Sequence, residues 1–175
     1  MRTPVSIKSI FSIADRQFMA EAIQLARRGI STVTPNPCVG CVLVKNEKIV
    51  GRGWHIKAGD AHAEVNAITD AGDNAKGATA YISLEPCSFI GKTGACTNAL
   101  QAAGIVRVVS AMQDPNPNVS GQGNALLRAA GLDVSEGLMA EQAATLNRGF
   151  IKRMQKQLPF VSCKMAMSLD GRSAM

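Results

Sequence analysis

Short apolar runs of β type alternate with helical segments along most of the chain, and glycine or proline turns separate them. Residues 15–29 predict a helix: Asp15 can cap it, Phe18, Ala22, Leu25 and Ala26 share a face, and Gly29 can close it. Residues 39–44 form an apolar β run, 45–48 a turn, and Ile49-Val50 opens the return strand of a hairpin. A helix over 62–71, a strand over 79–84, a helix over 97–103 stopped by Gly104, and a strand over 105–112 follow. Residues 124–130 then predict a helix, 132–135 a short strand and 140–150 a final helix. Thr34-Pro35-Asn36-Pro37 and Asp114-Pro115-Asn116-Pro117 are loop-forming. The order α-β-β-α-β-α-β-α-β-α argues for an α/β sandwich around a mixed sheet. Its 175 residues suit one domain, with a small appendage. Residues 151–159 read as a linker and 160–167 as a strand with nothing after it to pair with, so the chain is expected to be the front part of a longer protein.

The chemistry gathers at His62-Ala63-Glu64, at Pro86-Cys87 and at Cys96. One imidazole and two thiolates make three ligands for Zn²⁺ and leave a fourth tetrahedral position open. Three protein ligands plus water is the catalytic pattern, whereas structural zinc sites usually close with four. Zinc lowers the pKa of its water from about 16 toward about 7, which gives hydroxide at neutral pH. Glu64 stands two residues after His62, about 200° further round a helix. It is badly placed to bind the same metal and can reach the bound water. Its expected catalytic role is to take a proton as hydroxide attacks an amidine-like ring carbon, then to protonate the ring nitrogen and the departing ammonia.

Five cysteines, an odd number, argue against an exported disulfide scaffold and for a cytoplasmic protein that uses thiols as metal ligands. No apolar run approaches the roughly 18–20 residues of a membrane span, and neither a membrane partner nor a signal peptide is expected. The net charge of +6 invites a nucleic-acid partner, but its distribution weakens that reading. Residues 1–150 hold 14 Lys+Arg against 12 Asp+Glu, whereas 151–175 hold 5 against 1. The excess is a short tail rather than a basic stripe.

Zinc deaminases carry H-x-E…P-C-x-x-C. Here the first two elements match and the second cysteine follows at C-x8-C. Pro35-Asn36-Pro37-Cys38-Val39-Gly40, Gly53-Trp54-His55, Ala61-His62-Ala63-Glu64-Val65, Leu84-Glu85-Pro86-Cys87-Ser88, Gly91-Lys92-Thr93, Ala103-Gly104-Ile105 and the segment from Ala111 to Pro117 carry a broader likeness. On these residues the chain resembles the N-terminal deaminase domain of the bifunctional riboflavin-biosynthesis deaminase/reductase family, in which the long loop between the cysteines is characteristic. The resemblance implies a cytidine-deaminase-like α/β/α sandwich around a mixed sheet, with a zinc deaminase domain over 1–150. It also implies that 151–175 is a linker and the first strand of a truncated reductase domain, where Lys164 and Ser168-Leu169-Asp170-Gly171 match.

The implied reaction is hydrolysis of the ring C2 amino group of 2,5-diamino-6-(5-phosphoribosylamino)pyrimidin-4-one, giving 5-amino-6-(5-phosphoribosylamino)uracil and ammonia. The implied cofactor is Zn²⁺, with NADPH needed only by the absent reductase part. Asn36, His55, Lys92, Asp114 and Asn116 fall at substrate-contacting positions of the family. Lys92, a cation in a glycine-bearing loop, suits a ribose phosphate. The Asn36 amide suits a pyrimidinone edge. Self-association into a homo-oligomer is expected by the same analogy. The chain departs from the family at Phe89, where His is usual, and at Gly94-Ala95, where Pro-Pro is usual.

Other readings stand beside this one. Asn36, Asp114 and Asn116 also suit turns, and His55 and Lys92 also suit loops. Cys38-Val-Gly-Cys41 has the spacing of a redox motif, but Cys41 begins a β run and such motifs open helices, so both are expected in core or loop. Cys163 is expected in the core of the last strand. A nucleic-acid base deaminase would need stacking aromatics and a charged strand path, and aromatics are only 4%. A non-catalytic, zinc-stabilised assembly domain is the reading from a different class, and a fourth protein ligand would support it.

Overall fold

In a computed structural model, residues 11–88, 94–117 and 119–173 are described. The elements are α1 (Ile13–Arg27), β1 (Gly40–Lys45), β2 (Lys48–Trp54), α2 (Ala63–Ala71), β3 (Thr79–Ile82), α3 (Cys96–Ala102), β4 (Arg107–Ser110), α4 (Gln122–Ala129), β5 (Asp133–Glu136), α5 (Ala140–Leu146) and α6 (Arg148–Lys156). Among the described residues one sheet forms, in the order β2-β1-β3-β4-β5. β1 runs antiparallel to both β2 and β3, while β3, β4 and β5 are parallel. The sheet is therefore mixed, as the sequence predicts.

The period-two alternation of the strands sorts side chains onto two faces. Cys41 and Leu43 of β1, Ala80 and Ile82 of β3, and Val108 of β4 meet α2, α3 and α4 through Ala63, Ala67, Leu100 and Leu127. Val42 and Val44, Tyr81 and Val109 point the other way and meet α1 and α5 through Met19, Ala22, Ile23 and Ala143. Both faces are buried, which is why these strands read as nearly continuous apolar runs. Each large aliphatic side chain so enclosed contributes roughly 1.5–3 kcal/mol before its ordering entropy is counted.

Helix α2 lies directly on β2. A Cβ at Gly51 would come 2.4 Å from the Ala67 carbonyl oxygen, and one at Gly53 would come 2.2 Å from that of Ala63. Only glycine permits backbone to approach backbone this closely. The first turn of α2, which carries Glu64, is thereby pressed onto the end of the hairpin.

Three expectations need correction. The cap of α1 is Ser12, not Asp15: the Ser12 hydroxyl accepts the Asp15 N–H at 3.0 Å, and the Asp15 carboxylate accepts the Ser12 N–H at 2.8 Å. This reciprocal pair is a capping box. The helix expected over 140–150 is broken at Asn147. Its buried side chain accepts the Cys38 N–H at 2.8 Å and donates to the Cys38 carbonyl at 3.0 Å. The chain then turns into α6, so residues 148–156, partly expected as linker, are helical. Finally, 160–167 form no strand and Cys163 is exposed. Strand residues need a partner for their N–H and C=O groups, and among the described residues none lies beside them.

Candidate active site

His62 is the residue from which α2 starts. Its φ of −74° and ψ of 164° are extended, and its side chain makes no capping bond. The imidazole is thereby turned away from the helix and toward two sulfurs. His62 Nδ1 lies 3.1 Å from Cys96 Sγ and 3.5 Å from Cys87 Sγ. Cys87 follows the end of β3, and Cys96 opens α3, its backbone N–H donating to Cys87 Sγ at 3.3 Å. The three ligand atoms lie within 4.8 Å of one another. Among the described residues this is the one cluster able to hold a metal ion, and it contains three donors. Two thiols and an imidazole fit zinc by donor softness, and three donors leave a tetrahedral position open.

Hydrogen bonding with Cys96, only partly opposed by burial, pulls the Cys87 thiol down, and His62 adds to the effect. The Cys96 thiol is pushed up by Cys87 beside it and by its own burial. The contact with Cys87 raises His62. Glu64 is 3% exposed, and burial pushes its carboxyl up to about 7. Its side chain lines the same cleft as His62 and Cys87.

The cluster opens into a cleft of about 520 Å³. Asn36, His55, Asp114 and Asn116 all line it. His55 is buried, and its Nδ1 lies 3.1 Å from the Ala61 carbonyl, which can only accept. Nδ1 therefore carries the proton, and Nε2 accepts from Asn36 Nδ2 at 3.2 Å. Burial lowers the His55 pKa, in keeping with a neutral ring. Burial also raises Asp114, whose Oδ1 accepts the Asn116 N–H at 2.8 Å. Lys92 and Phe89 lie outside the described residues. Cys38 and Cys41 are buried and unbridged, as expected for core positions.

Three residues of the site were not singled out from sequence. The Glu85 carboxylate is 3% exposed and accepts backbone N–H groups of Asp114, Gly121 and Asn124 at 3.0, 2.9 and 3.2 Å. Asn66 donates to the Trp54 carbonyl at 2.8 Å and so ties α2 to the end of β2. Arg153 of α6 lines the cleft. An acid directly before Pro86-Cys87, at the end of an apolar strand, was the available signal for Glu85. The Phe150 and Met154 pair, four residues apart and both lining the cleft, was the signal for α6.

Residues 12–112 match the family model described as cytidine and deoxycytidylate deaminase zinc-binding region. Riboflavin biosynthesis protein RibD of Escherichia coli (strain K12) is 56% identical over 161 residues, which is 92% of this chain and 44% of that protein. The chain thus spans less than half the length of that relative. Diaminohydroxyphosphoribosylamino-pyrimidine deaminase of Buchnera aphidicola subsp. Schizaphis graminum is 52% identical over 145 residues, covering 83% of this chain and 99% of that protein. The crystal form 1 structure of Acinetobacter baumannii RibD superposes with a TM-score of 0.88 at 49% identity, over 93% of this chain and 46% of that one. Sequence and backbone agree over the same stretch, and the fold matches the expected cytidine-deaminase-like sandwich. The chain belongs to the cytidine and deoxycytidylate deaminase family, among its riboflavin-biosynthesis deaminases.

Proposed function

We propose that this chain hydrolyses the ring C2 amino group of 2,5-diamino-6-(5-phosphoribosylamino)pyrimidin-4-one, releasing ammonia and leaving a carbonyl. The observation that carries the reading is the buried Glu64 carboxyl beside the three-donor cluster, in a cleft that also holds Asn36 and His55. The relative from Buchnera, matched over nearly its whole length, bears a name that gives the same substrate class.

In this reading His62, Cys87 and Cys96 hold zinc, which supplies a water of lowered pKa. Glu64 accepts the two protons of the attacking water in turn, passing the first to the ring nitrogen and the second, released as the new hydroxyl becomes the carbonyl, to the departing amino group. One water is consumed and one ammonia leaves. The Asn36 amide, braced by its bond to His55, meets the pyrimidinone edge. Asp114 and Asn116 contribute further contacts from the opposite loop, and Lys92 meets the phosphate.

A Thermotoga maritima structure of which this chain covers 46% is described as a diaminohydroxyphosphoribosylaminopyrimidine deaminase/5-amino-6-(5-phosphoribosylamino)uracil reductase, which supports a reductase part after the deaminase unit of 1–150, with NADPH as its cofactor by family analogy. Residues 151–175 then lead toward it, with α6 still part of the deaminase cleft wall. Self-association of the full-length protein rests on family analogy, and a cytoplasmic setting rests on five unbridged cysteines. No helix among the described residues is long and apolar enough to cross a membrane.

The test is ammonia release by zinc-loaded protein from the phosphoribosyl diaminopyrimidine, with cytidine and single-stranded DNA as parallel substrates. Release from the first alone is expected. Release from cytidine or DNA instead would replace the substrate. Zinc bound with no release from any would favour an assembly role.

A further inference from the structure

The substrate of the proposed reaction is long, with a neutral base at one end and a phosphate dianion at the other. The base end must lie at the cluster, because the amino group reacts there. The cleft is rich in acidic groups: Asp60, Glu64, Glu85 and Asp114 all line it. A phosphate placed among acidic groups is repelled, so it needs compensating cations, of which the proposed reaction already gives it Lys92. Among the described residues that line the cleft, Arg153 is the one lysine or arginine.

Arg153 is also held in place. Its Nη2 donates to the Pro35 carbonyl at 2.6 Å, and its guanidinium lies over the Phe150 ring at 5.7 Å. Stacking and a single fixed hydrogen bond restrict the side chain before any ligand arrives. A guanidinium has five N–H donors, and the Pro35 bond occupies one. The planar fork suits phosphate oxygens, which it can meet in pairs.

We infer that Arg153 joins Lys92 in binding the phosphate of the substrate and that α6, which runs past the last residue of the expected deaminase unit, is therefore part of the substrate site. The inference rests on the proposed reaction for its substrate. Arg153 touches the part of the ligand that does not react, so it governs affinity and the preference for a phosphorylated compound. It has no part in proton transfer.

The experiment compares wild type, Arg153→Ala and Arg153→Lys on the phosphorylated substrate and on the same compound after removal of its phosphate. For the alanine variant the expected result is a rise in KM of roughly 10-fold or more on the phosphorylated compound, the loss of one charge-assisted contact, with kcat nearly unchanged. KM for the dephosphorylated compound should stay put, and the lysine variant should retain part of the preference. Equal losses on the two compounds would mean that only the Pro35 bond matters, and would overturn the inference. So would a lysine variant as impaired as the alanine one.

Phosphorus NMR titration of each protein with ribose 5-phosphate separates this inference from the reaction itself. Wild type that binds the sugar phosphate when the alanine variant does not, yet deaminates nothing, would retain Arg153 as the anion site and discard the proposed reaction. Binding by both proteins alike would discard Arg153.

Discussion

The Glu85 carboxylate accepts the backbone N–H of Asp114 at 3.0 Å, joining the end of one parallel strand to the loop after its neighbour. The same carboxylate takes the N–H groups of Gly121 and Asn124. One buried acid thus sets the position of the loop that carries Asp114 and Asn116 relative to Cys87, two residues along. Close by, the Pro86 carbonyl oxygen lies 2.0 Å from where a Cβ on Gly123 would stand, so α4 starts against the Pro86 backbone.

Glu85→Gln should damage this arrangement. The carboxylate accepts on both oxygens, whereas an amide offers oxygen on one side and N–H on the other. At least one of the three backbone donors then faces a donor. A loss of about 1–3 kcal/mol of stability is expected, the cost of a buried polar group left unpaired. Urea denaturation reads it. Zinc content should stay near wild type while KM rises, because the loop moves and the three ligands do not. An unchanged urea midpoint would remove Glu85 from this role.

Glu64→Gln should keep zinc and lose turnover. The change preserves size and removes the group that accepts the proton. A fall in kcat of about 10²–10⁴-fold is the usual cost of losing a general acid/base. Metal analysis and ammonia release measure the two halves separately. Cys87→Ser should instead lose the metal, because a hydroxyl replaces one of the two soft donors. Near-normal kcat in Glu64→Gln would exclude the carboxyl from proton transfer.

Much of this site was legible in the sequence because its residues sit where local patterns change. His62 stands before a helical run and Cys87 just after a strand, so type and spacing were sufficient to propose a metal. The two-faced strands were legible as apolar runs. What escaped depended on contacts between distant segments. The break at Asn147 exists because its side chain bonds Cys38, 109 residues away. Nothing near 147 announces that partner. Arg153 and Lys152 read as a solvated tail, yet α6 lies on the cleft, and Arg148 and Lys152 lie over the Phe160 ring. Ser12 lost its place to Asp15 in the capping pattern because both can cap. The buried Asp15 carboxylate accepts from Tyr81 and Arg107 as well as from the Ser12 N–H.

Gly53→Ala tests the link between the hairpin and the site. A methyl group there would meet the Ala63 carbonyl oxygen at 2.2 Å and the Ala67 nitrogen at 2.3 Å. Both are backbone atoms and neither can swing away, so α2 must shift. A cost of about 1–3 kcal/mol is expected for such overpacking. Because His62 and Glu64 ride on the first turn of α2, zinc affinity should fall together with stability. A competitive chelator titration measures the first and urea unfolding the second. A variant with wild-type zinc affinity would show that α2 can move without disturbing the cluster.

Asp15 gives the fold an acid-labile tie between α1 and the sheet. Burial opposes its charge. The Arg107 guanidinium at 2.8 Å, the Tyr81 hydroxyl at 2.7 Å and the Ser12 N–H and hydroxyl more than offset that and hold its carboxyl well below the usual carboxylate range. A group whose pKa is depressed in the folded state stabilises the protein above its unfolded pKa, about 4 for aspartate, and loses that contribution as pH falls toward the folded value. Wild type should therefore exceed Asp15→Asn in stability by about 1–3 kcal/mol above pH ~5, the worth of hydrogen bonds to a charged group. The gap should narrow steadily below pH ~4, as the unfolded chain binds a proton that the folded chain does not. Urea midpoints of the two proteins across this range provide the measurement. A gap that stays constant down to pH ~3 would show that the carboxylate's charge is not what joins α1 to Tyr81 and Arg107.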